Sequence, residues 1–246
     1  MGYSIIGIDC ATEPKKRGVA TAYLTNCACE VNLISTGLDN ARIADLVSEA
    51  EQRYGNVLLA LDAPLGWPSA LGESLAKHSA GQAINHPANA LFRRETDFFI
   101  KKNFGKQPLD VGADRIARTA LSALILVSEI SKRLGRDVPL AWQRDFSGVS
   151  AIEVYPAATL VAYGMPSGGY KKSAERPERQ IIIDRLKGSL TISNAEPLLQ
   201  SADALDAALC VLSGKDFLEG NSYQPENQKS AQKEGWIWVR RSSEIG

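Results

Sequence analysis

Residues 5–20 read IIGIDCATEPKKRGVA, and this stretch sets the fold expected for the chain. Its apolar run predicts a buried strand that ends at an acid, Asp9, before a polar and basic link to a second strand from Gly18. A carboxylate at the end of a buried strand is unfavourable unless a cation pairs with it. A bound metal ion is one candidate for that cation.

Outward from this stretch, the sequence predicts the element order β-β-β-α-β. The first three predicted strands are Ser4–Cys10, Gly18–Leu24 and Glu30–Leu38. Their short links suit an antiparallel meander. A helix over 41–54 precedes an apolar run at 56–61, which is typical of a strand buried on both faces. A helical insertion over about 65–148 follows, then a strand, more helices and a late strand, so residues 1–246 fit one three-layer α/β domain.

Composition excludes some functions and favours one compartment. Lys plus Arg equals Asp plus Glu at 28 each, which argues against a protein that coats nucleic acid by bulk charge but allows a local basic groove. The N-terminal apolar run is short and contains Asp9, so it does not predict a signal peptide. We expect free thiols and a cytoplasmic protein, and the cysteines concerned are Cys10, Cys27, Cys29 and Cys210.

The acid that ends an apolar run recurs along the chain. VLLALDAP, residues 57–64, ends its run at Asp62, and AIEVYP, residues 151–156, places Glu153 inside an apolar strand. SADALDAALCVL then supplies Asp203 and Asp206, which share one helix face at a spacing of i and i+3. Each aspartate alone has an ordinary explanation in a turn or at a helix N-terminus. The functional prediction therefore depends on the whole set.

If these strands are neighbours, their carboxylates converge and stay ionised only with cations between them. Hard oxygen ligands suit Mg²⁺ or Mn²⁺, and two such ions form the clamp used for in-line phosphoryl displacement. Phosphate contacts are expected from basic side chains near this site, namely Arg17, Arg93, Arg94, Lys171 and Lys172. Solvated charge is the alternative for these residues, and Arg94 with Asp97 fits a simple i,i+3 pair.

Several motifs occur in one order between Gly7 and Val239: GIDCA, RGV, ALDAPLGWP, RRETD, AIEVYPAA, SADALDAAL and EGWIWV. With them the chain resembles the family called domain of unknown function 429, which is regarded as a predicted nuclease family of the ribonuclease H-like superfamily. That resemblance implies a five-stranded mixed sheet with the first three strands antiparallel and helices on both faces. Residues 65–148 have no counterpart in a minimal fold of this kind, and we expect them to shape substrate access.

The resemblance also implies site residues. Asp9 and Asp62 would be the strand ligands, and Asp206, with Asp203, the ligand of the last helix. Glu153 lies in the EVYP motif, and its role as a ligand is our inference from its place in a strand. The expected catalytic residues are then Asp9, Asp62, Glu153 and Asp206, with Mg²⁺ or Mn²⁺ as cofactor and DNA or RNA as substrate. Junction-cutting relatives are often dimers, so a homodimer is one expected assembly.

Two other functions fit parts of the sequence. A phosphotransferase of the actin and sugar-kinase kind shares the strand order, but those proteins pair the first acid with a Gly-rich phosphate hairpin. Here ATEPKKRG has no glycine before Gly18. A non-catalytic nucleic-acid-binding module on the same fold is the other alternative.

Overall fold

The computed structural model describes residues 2–26, 28–172 and 176–241. Its strands are β1 (Tyr3–Asp9), β2 (Gly18–Leu24), β3 (Cys29–Thr36), β4 (Val57–Asp62), β5 (Val149–Glu153) and β6 (Thr191–Ile192). In the described residues they form a six-stranded mixed sheet in the order β5-β4-β1-β2-β3-β6. The pairs β1–β2 and β2–β3 are antiparallel, which confirms the predicted meander. The other neighbours are parallel, and the short β6 extends the expected five strands to six.

The helices of the described chain are α1 (Asn40–Tyr54), α2 (Ser69–Leu75), α3 (Ala88–Phe92), α4 (Glu95–Phe104), α5 (Asp114–Leu134), α6 (Pro156–Ala162), α7 (Arg176–Leu186), α8 (Glu196–Gln200), α9 (Ala202–Leu218) and α10 (Gln228–Glu234). A short 3-10 helix, Pro14–Lys16, joins β1 to β2. Helix α9 begins after Ser201, whose side chain accepts a hydrogen bond from the Ala204 amide, as expected of an N-cap. Helices α2 to α5 occupy the predicted insertion.

Helices cover both faces of the sheet, because successive strand residues point to opposite sides. On β1, Ile5 belongs to the core that includes the buried leucines of α9. Its neighbours Ile6 and Ile8 belong to a second core, which they share with α1 and α5 through Ile43, Val47, Leu126 and Ile130. The sheet therefore lies between two helical layers, which confirms the three-layer α/β arrangement.

Two glycines let α9 pack directly against the sheet. A Cβ added at Gly7 in β1 would collide with the Ala207 carbonyl of α9, and one at Gly18 in β2 would collide with the Asp203 carbonyl. A larger residue at either position would therefore push the helix outward. This close approach brings the first two turns of α9 to the ends of β1 and β4.

The late strand predicted over Trp236–Val239 is not a full strand. Ile237 forms an isolated parallel bridge with Glu153, and the Trp238 amide donates to the Glu153 carbonyl at 2.9 Å. The thiols of Cys10, Cys29 and Cys210 are free and buried, and Cys27 lies outside the described residues. Within the described ranges, no helix combines the length and apolarity needed to cross a membrane. That residues 1–246 form one domain stays a prediction.

Candidate metal centre

Asp9 and Asp62 lie side by side at one edge of the sheet. They are the last residues of β1 and β4, which are parallel neighbours, and the register pairs Asp9 directly with Asp62. Parallel strands bring their carboxyl ends to the same edge, so the two acids meet because the strands pair in this register. Both residues are partly exposed, and they line the same cavity.

Helix α9 adds a third acid to this edge. Asp206 is only 1 % exposed, and oxygens of Asp9, Asp62 and Asp206 all lie within 4.8 Å of one another. Asp203 lies one turn earlier on α9, outside this group and partly exposed. The structure thus brings together three of the five acids that the sequence singled out as metal ligands.

Burial and mutual repulsion disfavour ionisation of these acids. Burial, with the charges of Asp206 and Asp62, raises the pKa of Asp9 well above its usual value. Burial and the charge of Asp206 raise the pKa of Asp62 to about 7. Burial also raises the pKa of Asp206, although two donors counteract it. Three ionised carboxylates therefore need positive charge at this site.

The protein supplies part of that charge from the segment after α6. Lys171 places its Nζ 2.7 Å from Asp206 Oδ2, and the hydroxyl of Tyr170 donates to Asp206 Oδ1 at 2.7 Å. Asp9 and Asp62, by contrast, accept no side-chain hydrogen bond and form no ion pair within the described chain. The free oxygens of Asp9 and Asp62 lie within 4.8 Å of an oxygen of Asp206, and clustered carboxylate oxygens are the donor set that Mg²⁺ and Mn²⁺ prefer. The residues present therefore fit a divalent cation.

Glu153 does not join the group of three acids. It lies at the end of β5, 4 % exposed, with Arg94 Nη1 2.8 Å from its Oε2 and Nη2 2.7 Å from its Oε1. The Leu65 amide donates to Oε2 at 2.9 Å. Both carboxylate oxygens are thus occupied by protein donors. Glu153 lines the same cavity as Asp9 and Asp62, but as the partner of a buried arginine.

Arg94 has no donor left for a substrate phosphate. Besides Glu153 it binds both oxygens of Asp97, through Nε at 3.2 Å and Nη2 at 3.0 Å, and Nη1 also donates to the Glu234 carbonyl. These contacts occupy all five N–H groups of a guanidinium, and the residue is 1 % exposed. The substrate contact predicted for Arg94 is therefore replaced by a structural one, and the simple i,i+3 pair with Asp97 is present.

The other predicted basic residues differ in availability. Arg17 is 2 % exposed and donates to Asn40 Oδ1 at 2.7 Å and to the Ala11 carbonyl, so it holds the β1–β2 link. Arg93 pairs with Asp110 at 3.0 Å. Lys171 contacts the acidic group, and Lys172 is exposed, with no ion pair among the described residues. Of the predicted set, Lys171 alone reaches the three acids within the described chain.

Two tyrosines at the site were missed from the sequence. Tyr170 binds Asp206, and Tyr155 lines the cavity, where burial and the charge of Asp62 raise the pKa of its hydroxyl. Tyr155 lies two positions after Glu153 in the EVYP motif, and that motif is the sequence signal for it. Nothing local distinguishes Tyr170 from an ordinary core tyrosine.

The fold and site define the class of protein. It is a three-layer α/β protein with a cluster of three carboxylates, suited to divalent cations, at the carboxyl ends of two central strands. The family model described as "Protein of unknown function (DUF429)" matches residues 7–230. The chain therefore belongs to the DUF429 family, as its motifs indicated.

Comparison with solved structures gives a distant likeness. The structure of T. thermophilus RuvC in complex with Holliday junction substrate is similar at 13% sequence identity and a TM-score of 0.37. The similarity covers 85% of this chain and 91% of that chain. A search of curated proteins found no match.

Proposed function

We propose that the protein is a divalent-metal-dependent nuclease that hydrolyses phosphodiester bonds of nucleic acid. The observation that carries this proposal is the convergence of Asp9, Asp62 and Asp206 within 4.8 Å, two of which accept no side-chain hydrogen bond from the described residues. The antiparallel meander followed by parallel strands is also the sheet arrangement implied by the family resemblance to ribonuclease H-like proteins. The cofactor proposed is Mg²⁺ or Mn²⁺.

Each residue of the site has a proposed role. Asp9 and Asp62 would hold the cations with their free oxygens, and Asp206 would do so at Oδ2, where a cation would take the place of the exposed Lys171 ammonium. Bound there, the cations would supply an activated water and stabilise the leaving oxygen in phosphoryl transfer. Tyr170 fixes the orientation of Asp206 by occupying Oδ1. The Lys171 side chain is 61% exposed, so its ammonium can contact a substrate phosphate while remaining near Asp206. Asp203, one turn from Asp206, is proposed as an outer acid of the same site.

Glu153 is proposed to position the site rather than to bind metal. Its carboxylate holds the Leu65 amide and the Arg94 guanidinium, so it fixes the segment that follows Asp62. A Glu153→Gln variant keeps the shape but loses the charge that Arg94 requires. We therefore expect Glu153→Gln to lower the free energy of unfolding while metal affinity per folded molecule changes little.

Cleavage of labelled DNA and RNA tests the function. Single strands, duplexes and branched molecules would be incubated with Mg²⁺ or Mn²⁺ and with wild type, Asp62→Asn, Asp206→Asn, or the control Asp184→Asn, whose carboxylate is 58% exposed on α7. We expect metal-dependent cleavage that falls at least about 100-fold in the two site variants and is unchanged in the control. Equal cleavage by Asp62→Asn would rule out the assigned site, and binding without cleavage would support the non-catalytic module. The homodimer stays a prediction, which light scattering would test.

A further inference from the structure

The acidic group opens into a cavity with an apolar side. This inner cavity, of about 320 Å³, is lined by Asp9 and Asp62 and also by the apolar residues Pro108, Leu109 and Ile116. An outer cavity of about 550 Å³ shares those same three apolar residues and continues to Arg93 and Arg115. The two cavities therefore form one continuous groove that begins at Asp9 and Asp62.

Leu109 is the most exposed large apolar residue described, at 66 %. It lies on the connection between α4 and α5, within the insertion after β4, and beside the acids. Apolar surface next to convergent polar groups is typical of a ligand site. The inner volume lies at the low end for small-ligand sites, so it suits a single nucleoside and is too small for paired strands.

Charges along the groove nearly cancel. Arg94 has all its donors occupied, Arg93 pairs with Asp110, and Lys171 pairs with Asp206. The outer cavity holds two acids, Asp110 and Asp114, against Arg93 and Arg115. Among the described residues that line either cavity, Arg115 is the one cation without an ion pair. A long row of phosphate contacts therefore has no support here. Besides Lys171 at the metal centre, Arg115 supports contact with one further phosphate.

We infer that this groove is a subsite for one nucleoside of an unpaired nucleic-acid strand, an inference that rests on the proposed nuclease function. The base and sugar pack on Pro108, Leu109 and Ile116, and the next phosphate lies by Arg115. Affinity then comes mainly from apolar contact, so it depends weakly on salt. This assigns substrate recognition to the insertion after β4, and it assigns unpaired strands as the substrate class.

Binding of a short labelled strand tests the subsite. The probe is a six-nucleotide DNA with phosphorothioate linkages, which slow hydrolysis, and the same sequence in a hairpin duplex is the comparison, both with Mn²⁺ by fluorescence anisotropy. Leu109→Ser is matched by Leu121→Ser, an exposed leucine of α5 outside both cavities. Arg115→Gln is matched by Arg118→Gln on the same helix, and Mn²⁺-dependent cleavage is measured separately.

We expect Leu109→Ser to weaken single-strand binding about tenfold, the effect of losing one buried leucine, and Leu121→Ser to change it less than about twofold. Arg115→Gln should weaken binding a few-fold and reduce the salt slope by about 0.7, the value for one phosphate of a single strand. The wild-type slope should be about −1, and the hairpin should bind at least about tenfold more weakly.

Equal affinities of Leu109→Ser and Leu121→Ser, a hairpin bound as tightly as the strand, or a slope steeper than about −3 would each overturn the subsite. If cleavage then still requires Mn²⁺ and Asp62, the nuclease function stands and the nucleoside subsite alone fails. If wild type neither cleaves nucleic acid nor responds to Mn²⁺, the nuclease function fails and the subsite with it.

Discussion

Replacing Asp62 by asparagine removes one charge from the candidate metal centre while keeping the size of the side chain. The pKa of this carboxyl rises from its usual 3.8 to about 7, so the folded protein binds the proton more tightly than the unfolded chain. Its ionisation above pH 7 therefore costs stability, up to about 4 kcal/mol for a shift of this size. Because Asp62 is partly exposed and Lys171 is nearby, we expect about 1–2 kcal/mol in practice.

Without metal, the Asp62→Asn variant should consequently be more stable than wild type. A gain of about 1–2 kcal/mol corresponds to a melting temperature higher by about 2–8 °C for a protein of this length. With Mn²⁺ at about 100 times its dissociation constant, wild type should gain about 2.7 kcal/mol, or about 5–10 °C, and the variant little. The order of the two melting temperatures should therefore reverse between the two conditions.

Thermal melting by circular dichroism at pH 8 measures both effects, with EDTA or with Mn²⁺. Asp184→Asn is the control, because its exposed carboxylate lies on α7 and should alter neither value. If Asp62→Asn melts below wild type in EDTA and keeps the full Mn²⁺ response, Asp62 is neither a repulsive member of the acidic group nor a ligand, and the reasoning fails.

Three further predictions concern buried positions that support the fold. Gly7→Ala should lower the free energy of unfolding, measured in urea, by about 1–3 kcal/mol and weaken the Mn²⁺ response, because the added Cβ would collide with the Ala207 carbonyl. The control Gly72→Ala on α2, where the added Cβ has open space, should not lower it. Arg94→Ala should lower the free energy of unfolding by about 3–5 kcal/mol, because it leaves Glu153 and Asp97 buried and unpaired. The control Arg93→Ala, which breaks a partly exposed ion pair, should lower it by less than about 1 kcal/mol. Burial raises the pKa of Asp216 to about 6, so its contribution to stability is greatest below about pH 4 and is lost as the pH rises through 6. In urea unfolding, Asp216→Asn should make the free energy of unfolding depend less on pH across this interval. An unchanged pH dependence would contradict the raised pKa of Asp216.

Local patterns predicted most elements of the fold. Helix α1 was expected over 41–54 and runs over Asn40–Tyr54, because its apolar spacing and the Gly55 stop are properties of a short segment. The meander was expected from three apolar runs with short links, which leave adjacent strands little choice but to pair. By contrast, Trp236–Val239 alternates like a strand, yet among the described residues it makes one isolated bridge, from Ile237 to Glu153 at the end of the short β5.

The acids also differ in how far local sequence patterns could predict their role. Asp9 and Asp62 could be predicted as a pair, because each ends an apolar run and parallel neighbours align such ends. The sequence could not distinguish Glu153 from these metal-ligand candidates, because a buried acid in a strand gives the same local pattern whether its partner is a metal ion or an arginine. That partner, Arg94, is 59 positions away along the chain.

The sequence by itself determined the strand and helix order, the acids at strand ends and the family, because these depend on residue type and spacing within short segments. The tertiary structure decided which acids share a site. Gly7 and Gly18 let α9 approach the sheet closely enough for Asp206 to reach Asp9 and Asp62. Arg94 binds the carboxylate of Glu153, which is therefore not part of the group of three acids. Lys171 and Tyr170 reach Asp206 from 35 and 36 positions away. Such contacts depend on how segments that are distant in the sequence pack together, and no pattern within a short segment predicts that packing.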